Sequence, residues 1–71
     1  MEQVKAALQT IVDNADAPAL NYAVNYAKYG LTIEDSEEMR GQVLRVLGNI
    51  THWRGETAKQ VRATLKAFVK N

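Results

Sequence analysis

The stretch that decides the fold is residues 17–30, APALNYAVNYAKYG. Successive residues of an α-helix are about 100° apart, so four apolar residues fall in one narrow stripe: Leu20, Val24, Ala27 and Leu31. Three tyrosines fall in a second stripe, close to the opposite side: Tyr22, Tyr26 and Tyr29. A helix that is apolar around most of its circumference is normally buried. We therefore expect this helix to lie at the centre of the fold, with the other segments around it.

Helical periodicity continues through the rest of the chain. Apolar residues recur at spacings of three and four, and neither period-two alternation nor an Asn-Gly or Asp-Gly turn is present. The pattern predicts an all-α fold in which residues 1–71 form a single domain. This domain is a compact bundle of four short helices, at about residues 2–14, 17–29, 36–50 and 56–70, with helix 2 central.

Boundary residues support this division. Gly30 can adopt the left-handed conformation that closes a helix. Asp35 is expected to cap helix 3 while Glu38 reaches back in a capping box. Trp53, the one tryptophan, is expected to close one end of the core at the corner before helix 4.

Two glycines lie seven residues apart on one side of helix 3. Each costs about 1 kcal/mol relative to alanine inside a helix. We expect Gly41 and Gly48 to be compensated by close approach of another backbone, beneath the tyrosines.

The composition indicates the cellular compartment in which the protein is expected. The chain has 71 residues and no cysteine, which fits a reducing compartment. No apolar run approaches the roughly 20 residues needed to cross a bilayer, and the N-terminal segment lacks the pattern of a secretory signal. We expect a cytoplasmic protein with no membrane contact.

Charge is divided unevenly along the chain. Residues 1–38 carry two Lys or Arg and seven Asp or Glu, whereas residues 39–71 carry seven and one. Such asymmetry indicates either an anionic partner for the basic half or two halves that complement each other within the fold. We favour the second interpretation, because small bundles commonly mix charges in this way.

Catalysis is not expected. Nucleophilic and metal-dependent chemistry need clustered side chains, but His52 is the one histidine and there is no cysteine. The carboxylates of residues 34–38 lack the ligand spacing of a calcium loop and are better explained by helix capping. No glycine belongs to a phosphate-binding motif. We expect no catalytic residue, cofactor, metal or small-molecule substrate.

Two kinds of macromolecular partner remain. The first is an anionic one, for which helix 4 offers a basic stripe, defined by five residues: Arg54, Lys59, Arg62, Lys66 and Lys70. These cations could neutralise phosphates of a nucleic acid. However, the pI of about 8.1 is below the range typical of such domains, and a solvated basic face explains the stripe equally simply.

The second kind is a protein. Tyr22, Tyr26 and Tyr29 have apolar bodies and polar tips, and tyrosine is enriched at binding hot spots. If their stripe is exposed, a homodimer or a different protein would cover it; the alternative is that the rings pack within the chain. We favour a protein-interaction module over a nucleic-acid-binding protein.

The chain also resembles the small helical proteins encoded by phages and prophages. This resemblance is carried by residues 21–30, NYAVNYAKYG, and residues 50–58, ITHWRGETA, followed by the basic helix over residues 59–70. It implies an intracellular setting and a role in modulating a host or phage protein, and it transfers no active-site residue.

Overall fold

Four α-helices and one short 3-10 turn account for most of the chain. The computed structural model describes residues 1–70. In this range the elements are α1 (Glu2–Asp13), the 3-10 turn (Pro18–Leu20), α2 (Ala23–Gly30), α3 (Ser36–Gly48) and α4 (Glu56–Lys70), with no strand. The predicted all-α bundle of four short helices is confirmed.

The helices form a closed ring. Each helix packs mainly against two others, in the order α1, α2, α3, α4 and back to α1. Short connections join successive helices. Helix 2 was expected to be central, but α2 packs mainly against two helices, as each of the other helices does. A chain of this size has too few helices to surround one of them.

The core is a single cluster that draws on every α-helix and on the loops. Its largest fully buried side chains are Leu8, Ile11, Leu20, Met39, Ile50, Leu65, Val43 and Val46. Trp53 is 8% exposed and belongs to the same cluster, which confirms its predicted position at the corner between α3 and α4. No helix within residues 1–70 is long and apolar enough to cross a membrane.

Helix 2 begins later than the predicted residue 17. Pro18 opens a 3-10 turn in which Leu20 N–H donates to the Ala17 carbonyl at 2.9 Å. This tighter turn places Leu20 in the core with no exposed surface. The α-helical hydrogen-bond pattern starts only at Ala23, because the residues before it form the 3-10 turn that buries Leu20.

Gly30 has a different role from the one expected. Within residues 1–70 the one positive φ belongs to Gly55, at 112°, so Gly30 does not close α2 in the left-handed conformation. A Cβ on Gly30 would instead lie 2.8 Å from Cδ1 of Leu8. The absence of a side chain at residue 30 lets α2 approach α1 closely.

The ends of α3 are capped by side chains. Asp35 accepts a hydrogen bond from Glu38 N–H at 2.8 Å, which confirms the predicted N-cap, whereas the Glu38 carboxylate binds elsewhere. The helix ends at Gly48, short of the predicted residue 50, because Asn49 leaves the helical conformation and its side chain donates to the Arg45 carbonyl.

Two glycines of α3 face solvent: Gly41 in its interior and Gly48, its last residue. No atom lies within 4 Å of a Cβ built on Gly41 or Gly48, and both residues are exposed. The predicted close approach of another backbone of this chain is therefore wrong.

Candidate interaction surfaces

Three tyrosines of the α2 segment project from the bundle. Tyr22 is 77% exposed, Tyr26 39% and Tyr29 54%. The buried residues Ala23 and Ala27 occupy the core side of α2, so the spacing of the helix turns the rings outward. We call these three residues the tyrosine surface. The second apolar side predicted for helix 2 exists, but this chain leaves it uncovered.

A buried amide holds the backbone beneath the tyrosine surface. Gln42 of α3 is 3% exposed, and its Nε2 donates to the Tyr26 carbonyl at 2.9 Å. Its Oε1 accepts a hydrogen bond from the Arg45 guanidinium at 3.2 Å. Sequence reasoning missed Gln42, although its position three residues after the core residue Met39 is a usable signal. A buried polar side chain needs such partners to offset its desolvation.

The hydroxyl groups of the tyrosine surface are largely unused. Tyr29 donates to the Glu38 carboxylate at 3.2 Å, which explains why Glu38 does not complete the capping box. Within residues 1–70 the hydroxyls of Tyr22 and Tyr26 have no partner. They remain available to hydrogen-bond a ligand or water.

The basic stripe is only partly free. Arg54, Lys59, Lys66 and Lys70 are exposed. Arg62 is half-buried, and its guanidinium donates to the Trp53 carbonyl at 2.7 Å and the Ile50 carbonyl at 3.2 Å. Arg62 therefore donates to two carbonyls of the connection between α3 and α4, a role that the helical pattern alone did not reveal.

Two exposed large apolar side chains lie outside the tyrosine surface: Met1 at the N-terminus and Leu44 of α3. Leu44 is 53% exposed on the outer side of α3. Gly41 and Gly48 precede and follow it on that side, and the space beside both is open. Arg40 is one helical turn before Leu44 and is also exposed.

A shallow groove runs between α1 and α4. Gln3, Ala6 and Thr10 face it from α1, opposite Thr57, Gln60 and Thr64 of α4. These side chains are neutral, and none of them is a general base. Residues 1–70 hold no group of three or more His, Asp or Glu side chains placed to bind a metal ion.

The carboxyl group of Glu34 has a lowered pKa. Glu34 accepts a hydrogen bond from Lys5 Nζ at 2.8 Å. That hydrogen bond, and then the Coulombic attraction of Lys5, hold the pKa of the Glu34 carboxyl below its ordinary value. The contact ties α1 to the loop before α3, away from the tyrosine surface.

Comparisons with protein-family models, curated proteins and solved structures found no match. The function proposed below therefore depends on the surfaces described above.

Proposed function

We propose that this chain is a non-enzymatic module that binds a protein through the tyrosine surface. The observation that carries the proposal is the exposure of three tyrosines, between 39% and 77%: Tyr26 and Tyr29 on one side of α2, and Tyr22 immediately before it. In monomeric proteins, contiguous exposed apolar patches larger than a few hundred Å² commonly mark binding sites.

The chemistry of tyrosine suits this role. Each ring offers a large apolar contact area with few rotatable bonds, and each hydroxyl can form a hydrogen bond at the rim of an interface. The backbone beneath is fixed by the Gln42 amide and by buried alanines. Little conformational entropy is then lost when a partner covers the rings.

The proposed partner is a host or phage protein in the cytoplasm, or a second copy of this chain. The resemblance to phage- and prophage-encoded helical proteins is the reason for seeking it there. No reaction, cofactor or small-molecule substrate is part of the proposal.

Capture on immobilised protein tests this function. The double variant Tyr22→Ser/Tyr29→Ser removes two rings, whereas the matched control Asn21→Ser/Asn25→Ser changes exposed polar residues of the same segment. We expect a protein from the source-cell lysate to bind the wild type and the control but not the tyrosine variant. A captured set that is identical for all three proteins contradicts the proposal.

Sedimentation equilibrium tests the homodimer separately. The substitution Tyr26→Glu places a charge at the middle of the tyrosine surface. A dimer formed through this surface should dissociate in that variant. A wild-type monomer excludes self-association and leaves only a different protein as the partner.

Nucleic-acid binding by the basic stripe is the second candidate. The four exposed cations of the stripe favour it, but the fifth, Arg62, is engaged by backbone carbonyls. A mobility-shift assay with duplex and single-stranded DNA tests it. Binding that weakens steeply with salt supports this candidate, and the absence of a shift at low salt excludes it.

A further inference from the structure

The edge between α3 and α4 combines positive charge with an exposed leucine. Leu44 and Arg40 are four residues apart on α3, a spacing that places neighbours about 40° apart around a helix. Both are exposed, whereas Met39 and Val43 lie in the core. Arg40 and Leu44 therefore share the solvent side of α3.

The packing of α4 brings further cations to this edge. Arg62 donates to the carbonyls of Ile50 and Trp53 in the connection between α3 and α4, and α4 packs against α3. Lys66 and Lys70 follow Arg62 at intervals of four residues and are exposed, on the outer side of α4 next to Arg62. Partly buried Leu47 and Val69 pack against the core from these two helices.

One exposed acid lies on this side of α3: Glu37, seven residues before Leu44, offsets part of the charge. The basic half of the chain contains one acid, Glu56, at the start of α4. The edge defined by Arg40, Leu44, Lys66 and Lys70, which we call the Leu44 edge, is positive around an apolar centre.

We infer that the Leu44 edge binds an acidic protein segment that places an apolar side chain on Leu44. Carboxylates of the segment would pair with Arg40, Lys66 and Lys70, so that charge sets the orientation while burial of Leu44 adds affinity. The space beside Gly41 and Gly48 is unoccupied, so the segment can lie close to α3. This surface is separate from the tyrosine surface and goes beyond the function proposed for it.

An acidic protein segment fits this edge better than a nucleic acid does. Phosphate contacts would use the cations and leave Leu44 uncovered. Proteins that bind single strands stack the bases on aromatic side chains, but the three exposed tyrosines all lie on the α2 segment. The exposed side chain of Leu44 therefore favours an acidic protein segment over a nucleic acid.

Fluorescence anisotropy with a pair of labelled peptides tests the inference. One is a helical acidic peptide with leucines spaced four residues apart, and the other carries serines in their place. The full chain should bind the leucine peptide at least about tenfold more tightly, as burial of a leucine predicts. Leu44→Gln should remove this preference, and thermal unfolding should show the variant folded because Leu44 is exposed.

Charge variants complete the test. Lys66→Gln/Lys70→Gln should weaken binding of the leucine peptide and reduce its dependence on salt, while Lys28→Gln, which removes an exposed cation from α2, should not. Tyr22→Ser/Tyr29→Ser should leave peptide binding unchanged, which separates this inference from the proposed function. Equal binding of the two peptides, no binding of either, or tighter binding of duplex DNA that Leu44→Gln does not alter would each overturn it.

Discussion

The side chain of Gln42 reaches from α3 to the backbone of α2, where its Nε2 lies 2.9 Å from the Tyr26 carbonyl oxygen. This hydrogen bond joins the core to the middle of the tyrosine surface. It is one of two bonds that the buried amide makes, because Arg45 donates to its Oε1. The orientation of α2 thus depends on a polar contact as well as on packing.

Replacing Gln42 by Met should destabilise the protein by about 1 kcal/mol, the typical net contribution of an internal hydrogen bond. Methionine keeps the length of the side chain but cannot donate to the Tyr26 carbonyl. Urea unfolding followed by circular dichroism measures the change. Gln60→Met, at an exposed position of α4, is the control, and an equal loss in both variants would show that the Gln42 bond contributes nothing.

Alanine substitutions at two glycines should have opposite effects. At Gly30 a Cβ would press on Leu8, which is fully buried, and overpacking of this kind costs about 1–3 kcal/mol. At Gly41 the space is open, so Ala should stabilise α3 by about 1 kcal/mol through helix propensity. Thermal unfolding of the two variants gives the signs, and stabilisation by Gly30→Ala would contradict the close approach of α1 and α2.

Arg62→Met should lower the free energy of unfolding by about 1–2 kcal/mol, since charged donors form stronger hydrogen bonds than neutral ones. The methionine retains the apolar stem but leaves the Ile50 and Trp53 carbonyls without this donor. Lys66→Met removes an exposed charge from the same helix and should have almost no effect. If the two variants lose the same stability, Arg62 is an ordinary surface cation.

The pKa of Glu34 should be below its ordinary value in a titration followed by NMR. Because folding lowers this pKa, the contact with Lys5 stabilises the protein above the ordinary glutamate pKa, and the stabilisation is lost as pH falls through the folded value. Lys5→Met should return the pKa towards normal, and high salt should do so in part. Lys28→Met is the charge-matched control and should leave it unchanged.

Much of the fold could be predicted from apolar spacing. Leu20, Val24 and Ala27 of the predicted stripe are buried, whereas its fourth member, Leu31, is only partly buried after the end of α2. Trp53 is buried at the corner before α4. Such positions follow from helical geometry alone, because a residue on the apolar side of a helix must meet another element in a small bundle.

The surfaces were harder to predict, for physical reasons that differ between residues. Periodicity counts tyrosine as apolar, yet Tyr22 can keep its hydroxyl in water, so the pattern does not decide burial. Gln42 is a polar residue on the apolar side of α3, and Arg62 is a member of the basic stripe of α4. Each binds a backbone carbonyl on another element, which neither pattern indicates. Such contacts depend on how helices pack, which spacing along one helix does not contain.

The tyrosine surface is tested most directly by site-specific photo-crosslinking. A benzophenone amino acid replaces Tyr22 or Tyr29 in one pair of variants, and Asn21 or Lys28, exposed residues of the same segment with no tyrosine three or four residues away, in a control pair. In source-cell lysate, residues 22 and 29 should crosslink the same protein, or a second copy of this chain, while residues 21 and 28 should not. Equal crosslinking from all four positions, or none from residues 22 and 29, would contradict binding through the tyrosines.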